Sequence, residues 1–511
     1  MNVAAYNIDP WTLHLLQQTA HYFSQQQRRA YLVGGSVRNL LLHEPCSDWD
    51  IASDGDVPKL ARQLANRLGG YYAHMHDKAS RVTCKREGQE VIFDITPMHG
   101  DTIEADLRQR DFTLNAIAIP LPEIVHHLTA GTSPTYIDPL HGIPDLAARM
   151  LRAVDDNVFQ HDPLRMLRAI RFMTRYGLTI DSATEEMIVR AAPLLLRAAP
   201  ERIQDELYAI LRPDGATERL RFLDSHGLLT VLIPEFILAR GMLQPGLHHW
   251  DVFDHSLEAV AALERLAAAL QLPADELRHA PLAGNSQDDM AELQQLLNEA
   301  EQQDLFHFAT LTTAPAKLAA LLHDIGKPVT HAVDANGNIT FYHHPQAGVP
   351  LAQQIMGRLH ASTADRRLVQ QVVAHHMRPG QLSQDAVSER AIRRYFVDLG
   401  PTGIIVALIS LSDHLAMRGP AQLTEHWRRH LATVRLLLTR YIRERERILP
   451  PRLLQADELM RRLDITPGPI VGQLLEAIAE AQAEGKVHSK EEALWLAEEK
   501  LQQDRPNVSD P

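Results

Sequence analysis

The chain has 511 residues, of which 45% are apolar and 23% charged, and its formal net charge is −13 at pH 7. This length predicts about three or four domains, and the acidic balance argues against a protein that coats nucleic acid non-specifically. Two cysteines are too few for a disulfide framework, and neither a signal peptide nor an apolar run of about 18 residues is recognisable, so a cytoplasmic protein with no membrane span is expected.

The first part of the chain, to about residue 145, combines strand-like and helix-like patterns. Residues 1–27 favour a helix, and AYLVGGSVRNLLL (residues 30–42) favours a strand, a glycine turn and a second helix. Alternating apolar residues predict further strands in SDWDIAS, RVTCKREG and QEVIFDITPM, and a helix ending at glycine is predicted in KLARQLANRLGG. A sheet with helices packed on it is therefore expected.

From Asp145 onward the pattern is helical almost throughout. Arg165, Arg168, Arg171 and Arg175 are three or four residues apart, so they should form a basic stripe along one side of a helix. The polar stretch 277–295 is predicted to be a surface insertion. Residues 425–503 favour charged helices, and the end of the chain, QQDRPNVSDP, is expected to fray.

A glycine pair and an acidic pair form the first candidate site. Gly34 and Gly35 would let a phosphate approach the backbone at the start of a helix, where the amides favour an anion. Asp48 and Asp50, two residues apart in a strand, should point to the same face. Adjacent carboxylates repel unless a cation lies between them, and Mg²⁺ prefers such oxygen ligands. Taken alone, the glycine pair is equally compatible with an ordinary tight turn, and the acidic pair is more typical of a solvated strand end.

Five motifs in one order resemble those of the DNA polymerase β superfamily of nucleotidyltransferases, specifically class II tRNA nucleotidyltransferases and bacterial poly(A) polymerases. They are YLVGGSVRNLLL with the acidic DWD, then RQRDFTLNAIAI, YIDPLHGIPDL, DPLRMLRAIRF and PERIQDEL. The resemblance implies that Asp48 and Asp50 are catalytic and hold two Mg²⁺ ions, which activate an RNA 3′-hydroxyl and stabilise departing pyrophosphate. Asp94 could be a third acidic group or an ordinary strand-end carboxylate.

The same resemblance implies how a nucleotide is bound. Arg110 and Asp111 would contact its ribose and phosphates. Asp162 and Arg165, expected on one helix, would read a base edge and select C or A, although such a pair is also a common surface salt bridge. The implied nucleotide-binding residues are Gly34, Gly35, Arg38, Arg110, Asp111, Asn115, Asp162, Arg165 and Arg168.

The sequence departs from the family pattern at three places, of which the last two bear on specificity. Asn39 replaces the usual Asp after Arg38, and His161 stands where the family usually has Glu, so one base-reading contact could differ. The segment between Asp94 and Asp106 is short, whereas many enzymes that make the whole CCA end carry a longer flexible loop there. A short segment favours a partial activity, such as CC addition only.

A second cluster is rich in histidine. His323 and Asp324 are adjacent in an apolar helix, an arrangement that is costly unless the pair binds something, and imidazole with carboxylate suits a divalent transition metal. HDIGKP and the order of these residues resemble the HD phosphohydrolase superfamily. The implied metal ligands are His255, His323, Asp324 and Asp413, with His344 and His376 for a second metal, although neighbouring His343 and His375 leave the register open.

The resemblances together imply an α+β, multidomain fold. A polymerase-β-like nucleotidyltransferase head, with a mixed sheet and helices, is expected over residues 1–145, and a helical neck and body that binds nucleotide and RNA over 146–240. An HD domain is expected over 241–425 and a helical C-terminal region over 426–511.

The implied function is templateless addition of C, A or both to the 3′ end of tRNA from CTP and ATP, with release of pyrophosphate. The HD site would hold Ni²⁺, Mn²⁺ or Mg²⁺ and either hydrolyse phosphate esters or be a remnant. One alternative is a poly(A) polymerase, although the end of the chain is not basic. Another is an HD phosphohydrolase whose N-terminal half only binds RNA, which the intact acidic pair opposes. The sequence leaves open the choice between CCA, CC and A addition, and the oligomeric state.

Overall fold

The computed structural model describes residues 8–46, 48–75, 79–246, 248–280, 287–384, 386–417 and 424–503. They form two compact units, the first made of residues 1–206 and 226–231 and the second of residues 207–225 and 232–511. The four domain bounds expected from the sequence are finer than this division and remain predictions. Among the described helices none is by itself long and apolar enough to span a membrane. Two consecutive helices, Glu389–Leu399 and Thr402–Met417, are long and apolar enough when taken together, but the chain bends by 108° between them.

The first part of the chain alternates strands and helices before it becomes helical. Short 3₁₀ helices also occur at Thr113–Asn115 and Ala192–Arg197. The elements, in chain order, are α1 Pro10–Gln25, β1 Ala30–Val33, α2 Gly34–Leu41, β2 Asp48–Ser53, α3 Val57–Leu68, β3 Tyr71–His74, β4 Ser80–Arg86, β5 Gln89–Pro97, α4 Ile103–Leu107, β6 Ala118–Pro120, α5 Leu121–Ala130, α6 Gly142–Ala147, β7 Met150–Leu151, α7 Val158–His161, α8 Arg165–Tyr176, β8 Thr179–Ile180, α9 Ser182–Ala191 and α10 Pro200–Leu211.

Six strands form one mixed sheet in the order β3-β4-β5-β2-β1-β6. β2 and β5 are parallel, and the other pairs are antiparallel. Trp49 and Ile51 of β2 are fully buried in the core under this sheet. Since side chains alternate along a strand, the residues on either side of Trp49 point to the opposite face. The mixed sheet with helices expected from the sequence is confirmed, although β3 and β6 were not predicted.

Two of the helices predicted from the sequence are present in this unit. The first helix is α1, which begins after Asp9, whose carboxylate accepts hydrogen bonds from the Trp11 and Thr12 amides and so caps the helix. Residues 1–7 of the predicted helix lie outside the described residues. The helix predicted to end at glycine is α3, and Gly69 follows it with a φ of +67°, a conformation that glycine adopts without strain.

The described residues of the rest of the chain are helical, apart from one two-stranded hairpin. Short 3₁₀ helices occur at Pro234–Leu238 and Phe308–Thr312. The elements are α11 Ala216–Ser225, α12 Leu228–Leu232, α13 Val252–Ala269, α14 Ala274–Arg278, α15 Gln287–Gln302, α16 Ala314–Leu322, α17 Lys327–Thr330, β9 Ala332–Val333, β10 Ile339–Thr340, α18 His344–Arg358, α19 Thr363–His375, α20 Met377–Leu382, α21 Glu389–Leu399, α22 Thr402–Met417, α23 Glu425–Arg443, α24 Arg445–Ile448, α25 Ala456–Leu463, α26 Pro469–Ala483 and α27 Lys490–Gln503.

Helices α13, α16, α19 and α22 pack together at the centre of the second unit, and α25, α26 and α27 enclose a separate apolar cluster. The surface insertion predicted for residues 277–295 is wrong in its second half, because α15 begins at Gln287 and its Met290, Leu293 and Leu297 are fully buried. These residues form an apolar stripe at helical spacing within a polar sequence. Residues 281–286 and the end of the chain from 504, which was predicted to fray, lie outside the described residues.

Candidate functional site

A cleft of about 930 Å³ lies in the first unit. It brings together every residue predicted for the first site, from motifs that are far apart in the sequence. Those residues are Gly34, Gly35, Arg38, Asp48, Asp50, Arg110, Asp111, Asn115, Asp162, Arg165 and Arg168. The four arginines predicted as a stripe are on α8 and all line the same cleft. The wall therefore combines an acidic strand end with a basic helix face.

The acidic pair lies at the start of β2, next to the glycine turn. The Ser36 hydroxyl accepts a hydrogen bond from the Asp50 amide (2.6 Å) and donates one to the Asp48 carbonyl (3.0 Å), which fixes β2 against α2. A Cβ on Gly35 would lie 3.0 Å from Asp50 Oδ2, so the glycine lets the backbone approach the carboxylate. Asp48 is exposed and Asp50 half-buried.

The electrostatics of this pair favour a cation. Burial raises the pKa of Asp50, and Asp94 raises it further, whereas Arg110 opposes the shift. Asp94 is opposite Asp50 in the parallel β2–β5 ladder, but Arg81 holds it in a two-bond ion pair with both distances 2.8 Å. Ionising a partly buried carboxylate beside other acidic groups is costly, and a bound divalent cation stabilises the ionised form. Carboxylate oxygens are ligands that Mg²⁺ prefers. The residues present therefore fit that ion.

A buried network lies behind the acidic pair. Asp111 accepts hydrogen bonds from Asn115 Nδ2 (2.9 Å) and from Arg168 Nη2 (2.8 Å). Burial alone would raise the pKa of Asp111, but Arg168 and Asn115 outweigh burial and lower it. Arg38 donates to Asn115 Oδ1 and to the Tyr176 hydroxyl, both at 2.6 Å. An ionised Asp111 thus joins α2, α8 and the segment between them into one rigid wall.

The proposed base-reading pair differs from its prediction, because Asp162 and Arg165 do not share a helix. Asp162 follows α7 with an extended backbone (φ −144°, ψ 100°), and Arg165 is the first residue of α8. Pro163 explains this, since a residue before proline is disfavoured in the helical conformation. Nor do the two side chains pair with each other in the described contacts: Asp162 pairs with Arg202 at 2.9 Å.

Arg165 instead braces the backbone of another motif. Its guanidinium donates to the Gln109 carbonyl (2.9 Å) and to the Arg110 carbonyl (3.2 Å). His161, which replaces the usual Glu of the family, is the exposed last residue of α7 and does not line the cleft. The short segment after β5 is a turn that leads directly into α4, which begins at Ile103.

A second site, in the second unit, brings together the six residues predicted as metal ligands. His255 lies on α13 and Asp413 on α22, while His323 and Asp324 directly follow α16. Two groups could each hold a metal ion, His255 with His323 and Asp324, and Asp324 with His344 and His376. Asp324 is common to both groups. Asp413 Oδ1 is 3.0 Å from His255 Nε2, at the edge of the first group.

The histidine rings are oriented for ligation through Nε2. The Nδ1 atoms of His323, His344 and His376 face the backbone carbonyls three residues earlier, at 2.7, 2.9 and 3.0 Å. A proton on Nδ1 leaves a lone pair on Nε2. Yet the Nε2 atoms of His344 and His376 face each other at 3.4 Å. Facing lone pairs repel unless a cation lies between them, so this donor set fits a divalent metal.

Charges around this centre are balanced tightly. Although burial opposes it, Asp324 and Asp413 raise the pKa of His323 to about 10. Burial also opposes ionisation of Asp324, but His323 and Lys327 lower its pKa well below the ordinary value. Lys327 Nζ lies 2.5 Å from Asp324 Oδ2. The carboxylates are therefore ionised, and a bound metal cation would take the place of the proton that they otherwise hold on His323 Nε2.

The structure also decides the histidine register and adds residues that were missed. His344 and His376 point into the centre, whereas neighbouring His343 is exposed and His375 only half-buried. Besides the metal ligands, residues that were not predicted line the cavity of about 630 Å³ at this centre. One is Lys327, which its place in the HDIGKP motif could have indicated. Others are His248, Phe341, Tyr342, Met377, Arg429 and His430. Arg429 and His430 lie on α23, and no sequence feature indicated them.

Comparisons with known proteins match three stretches of the chain to family models. Family models for the poly A polymerase head domain, the probable RNA and SrmB-binding site of polymerase A, and the HD domain match residues 30–152, 177–238 and 252–418. An A-adding tRNA nucleotidyltransferase of Deinococcus radiodurans is 34% identical, covering 91% of this chain and 94% of its own. The chain belongs to the class II tRNA nucleotidyltransferases.

Other members of the family match over similar lengths. A CC-adding tRNA nucleotidyltransferase of Thermus thermophilus is 31% identical over 91% of this chain and 92% of its own. The Thermotoga maritima CCA-adding enzyme complexed with tRNA has the same fold, with a TM-score of 0.57 and 20% identity over 98% of this chain and 99% of that one. In this tRNA nucleotidyltransferase the head-domain match contains the acidic pair, and the HD match contains the histidine centre.

Proposed function

We propose that this protein adds nucleotides to the 3′ end of tRNA without a template, using ATP or CTP and releasing pyrophosphate. The observation that carries the proposal is the acidic pair, Asp48 and Asp50, beside the Gly34–Gly35 turn in a cleft lined by arginines. This arrangement supplies oxygen ligands for Mg²⁺ and cations for a triphosphate in one place. The relatives that match most of this chain are tRNA nucleotidyltransferases.

Each part of the cleft has a role in this proposal. Mg²⁺ at Asp48 and Asp50 would supply Lewis-acid stabilisation for the attacking 3′-oxygen and the departing pyrophosphate. The Gly34–Gly35 backbone at the start of α2 would approach the phosphates, and Arg110 would bind them directly. Asp111, held ionised by its neighbours, would accept a hydrogen bond from the ribose.

For base selection, Arg165 would donate hydrogen bonds to the base edge from those of its N–H groups that do not bind backbone carbonyls. A guanidinium carries five N–H groups, and the described contacts of Arg165 go to three carbonyls. Because those carbonyls hold the side chain in place, the remaining donors would face the cleft with a fixed direction. Asp162 would supply the matching acceptor.

We assign a partial reaction, with addition of the terminal A as the first expectation. Two observations support it: the turn between β5 and α4 is short, and the four relatives that cover at least nine-tenths of this chain are named for a partial reaction, A addition at 34% identity and CC addition at 26–31% identity. We further propose that the histidine centre holds a divalent ion, Ni²⁺, Mn²⁺ or Mg²⁺, and hydrolyses phosphate esters of small nucleotides or RNA ends.

The test incubates purified protein and Mg²⁺ with two tRNA transcripts, one lacking the whole CCA end and one lacking only the terminal A. Each is given CTP, ATP or both, and products are resolved at single-nucleotide length. A-addition predicts one nucleotide added from ATP to the second transcript and no CTP incorporation in the first. Growth of the first transcript by two C residues would make the enzyme CC-adding, and by CCA would refute a partial reaction. A long A tail would identify a poly(A) polymerase, and no addition to either transcript would refute the proposed function.

A further inference from the structure

The carboxylate of Asp106 is a buried acidic group of the cleft to which no role has been given so far. Asp106 ends the first turn of α4 and is only 3% exposed, although it lines the cleft. Its Oδ2 accepts hydrogen bonds from Arg110 Nη2 (2.9 Å) and Nε (3.2 Å), and its Oδ1 accepts one from the His99 amide (3.0 Å). A buried carboxylate is stable only when it is paired and hydrogen-bonded in this way.

The contact with Asp106 occupies the Nε and Nη2 edge of the Arg110 guanidinium. The other edge, with Nη1, faces the acidic pair. Nη1 of Arg110 is 2.9 Å from the position that a Cβ on Gly34 would occupy, beside Asp50 Oδ2. The free edge of Arg110 therefore points to the place where the glycine turn admits a phosphate.

We propose that Asp106 is a positioning residue, which holds the Arg110 guanidinium ready for the triphosphate of the incoming nucleotide. An arginine side chain has large rotamer freedom, and a group already held loses less of it on binding. The turn before α4 supports the arrangement, because the Cβ of a side chain at Gly100 would lie 3.0 Å from Ala105 Cβ, so turn and helix are closely packed. The inference rests on the proposed function.

The experiment measures KM and kcat for the preferred triphosphate, at a saturating concentration of the tRNA transcript that the wild type extends. The variants are Asp106→Asn, Arg110→Gln and the double variant, and Asp101→Asn, an exposed carboxylate in the same turn, is the matched control. Since ordering one side chain is worth up to about tenfold in affinity, Asp106→Asn should raise KM by up to about tenfold with kcat nearly unchanged. The double variant should be no worse than Arg110→Gln, and Asp101→Asn should match the wild type.

Several results would overturn the inference. Additive effects in the double variant would mean that Asp106 does not act through Arg110, and a wild-type KM in Asp106→Asn would mean that it does not act at all. If Asp106→Asn fails to fold, Arg110→Lys decides, because lysine keeps the charge but cannot make the two-donor contact; an unchanged KM there refutes the role. A wild type that extends no tRNA refutes the proposed function and this inference together, whereas an active wild type with an unaffected Asp106→Asn refutes this inference alone.

Discussion

Arg165 illustrates how a residue can have the expected position and unexpected partners. The sequence placed it beside Asp162 as a helical pair, but Pro163 separates the two, and the Arg165 guanidinium braces the backbone of residues 109–110. Asp162 pairs with Arg202 instead. A side chain that is hydrogen-bonded to backbone carbonyls is held in a defined direction, which is what selection of a base edge requires.

We expect Arg165→Ala to lower the ratio of the kcat/KM values for ATP and CTP, preferred over non-preferred, by at least about tenfold. The reason is that a hydrogen bond from a charged donor contributes about 1.5–3 kcal/mol. Arg175→Ala is the matched control, since Arg175 lies on the same helix and lines the same cleft but at the far end of α8. Both variants are compared by kcat/KM for each triphosphate and by Tm. An unchanged preference with a lower Tm would make Arg165 a structural brace rather than a base-reading residue.

At the scale of helices and strands, close contacts between neighbouring elements position both sites. In the head, Ser36 fastens β2 to α2. In the histidine centre, Gly326 lies between the Asp324 ligand and α18, which carries His344. A Cβ on Gly326 would be 2.1 Å from the His344 carbonyl oxygen and 2.6 Å from the Gly348 amide nitrogen. Backbone atoms cannot rotate away as a flexible side chain can, so only glycine fits this crossing.

We therefore expect Gly326→Ala to lower the free energy of unfolding by about 3 kcal/mol, near the upper end for overpacking, and to weaken metal binding by displacing His344. Gly357→Ala, on α18, is the control, because nothing lies within 4 Å of its Cβ. That variant should be more stable by up to about 1 kcal/mol. Urea unfolding and metal content are measured for both. Equal stability and metal content in the two variants would contradict the rigid crossing.

At the scale of the whole molecule, the two sites are built in different units. All residues of the head cleft belong to residues 1–206, and all ligands of the histidine centre belong to residues 232–511. Each site has its own cavity and its own set of ionised groups. Mutational effects on sites without shared partners usually add independently.

We expect Asp50→Ala to reduce nucleotide addition by about 10³-fold or more, because metal stabilisation of the transition state is worth several kcal/mol, and to leave ester hydrolysis and bound transition metal unchanged. Asp324→Ala should remove metal and hydrolysis while addition continues. His375→Ala, next to the ligand His376, should resemble the wild type. Addition assays, hydrolysis of a 2′,3′-cyclic nucleotide and elemental analysis are done on the same preparations. Loss of addition in a folded Asp324→Ala would show that the two sites depend on each other.

The sequence by itself determined those features that follow from the periodicity of the backbone. Asp48 and Asp50 share a face because side chains alternate along a strand, and the four α8 arginines share one because a helix has about 3.6 residues per turn. The motifs were sufficient to indicate the family, the mixed sheet and the helical second half. They did not indicate that residues 287–295 are helical core, because a polar composition concealed the apolar stripe there.

Only the tertiary structure decided which side chains meet across the sequence. The choice of His344 over His343 and of His376 over His375 depends on which ring faces Asp324 from another helix. Arg202 reaches Asp162 from 40 residues away. Such contacts depend on how distant elements pack, and local periodicity carries no information about that packing.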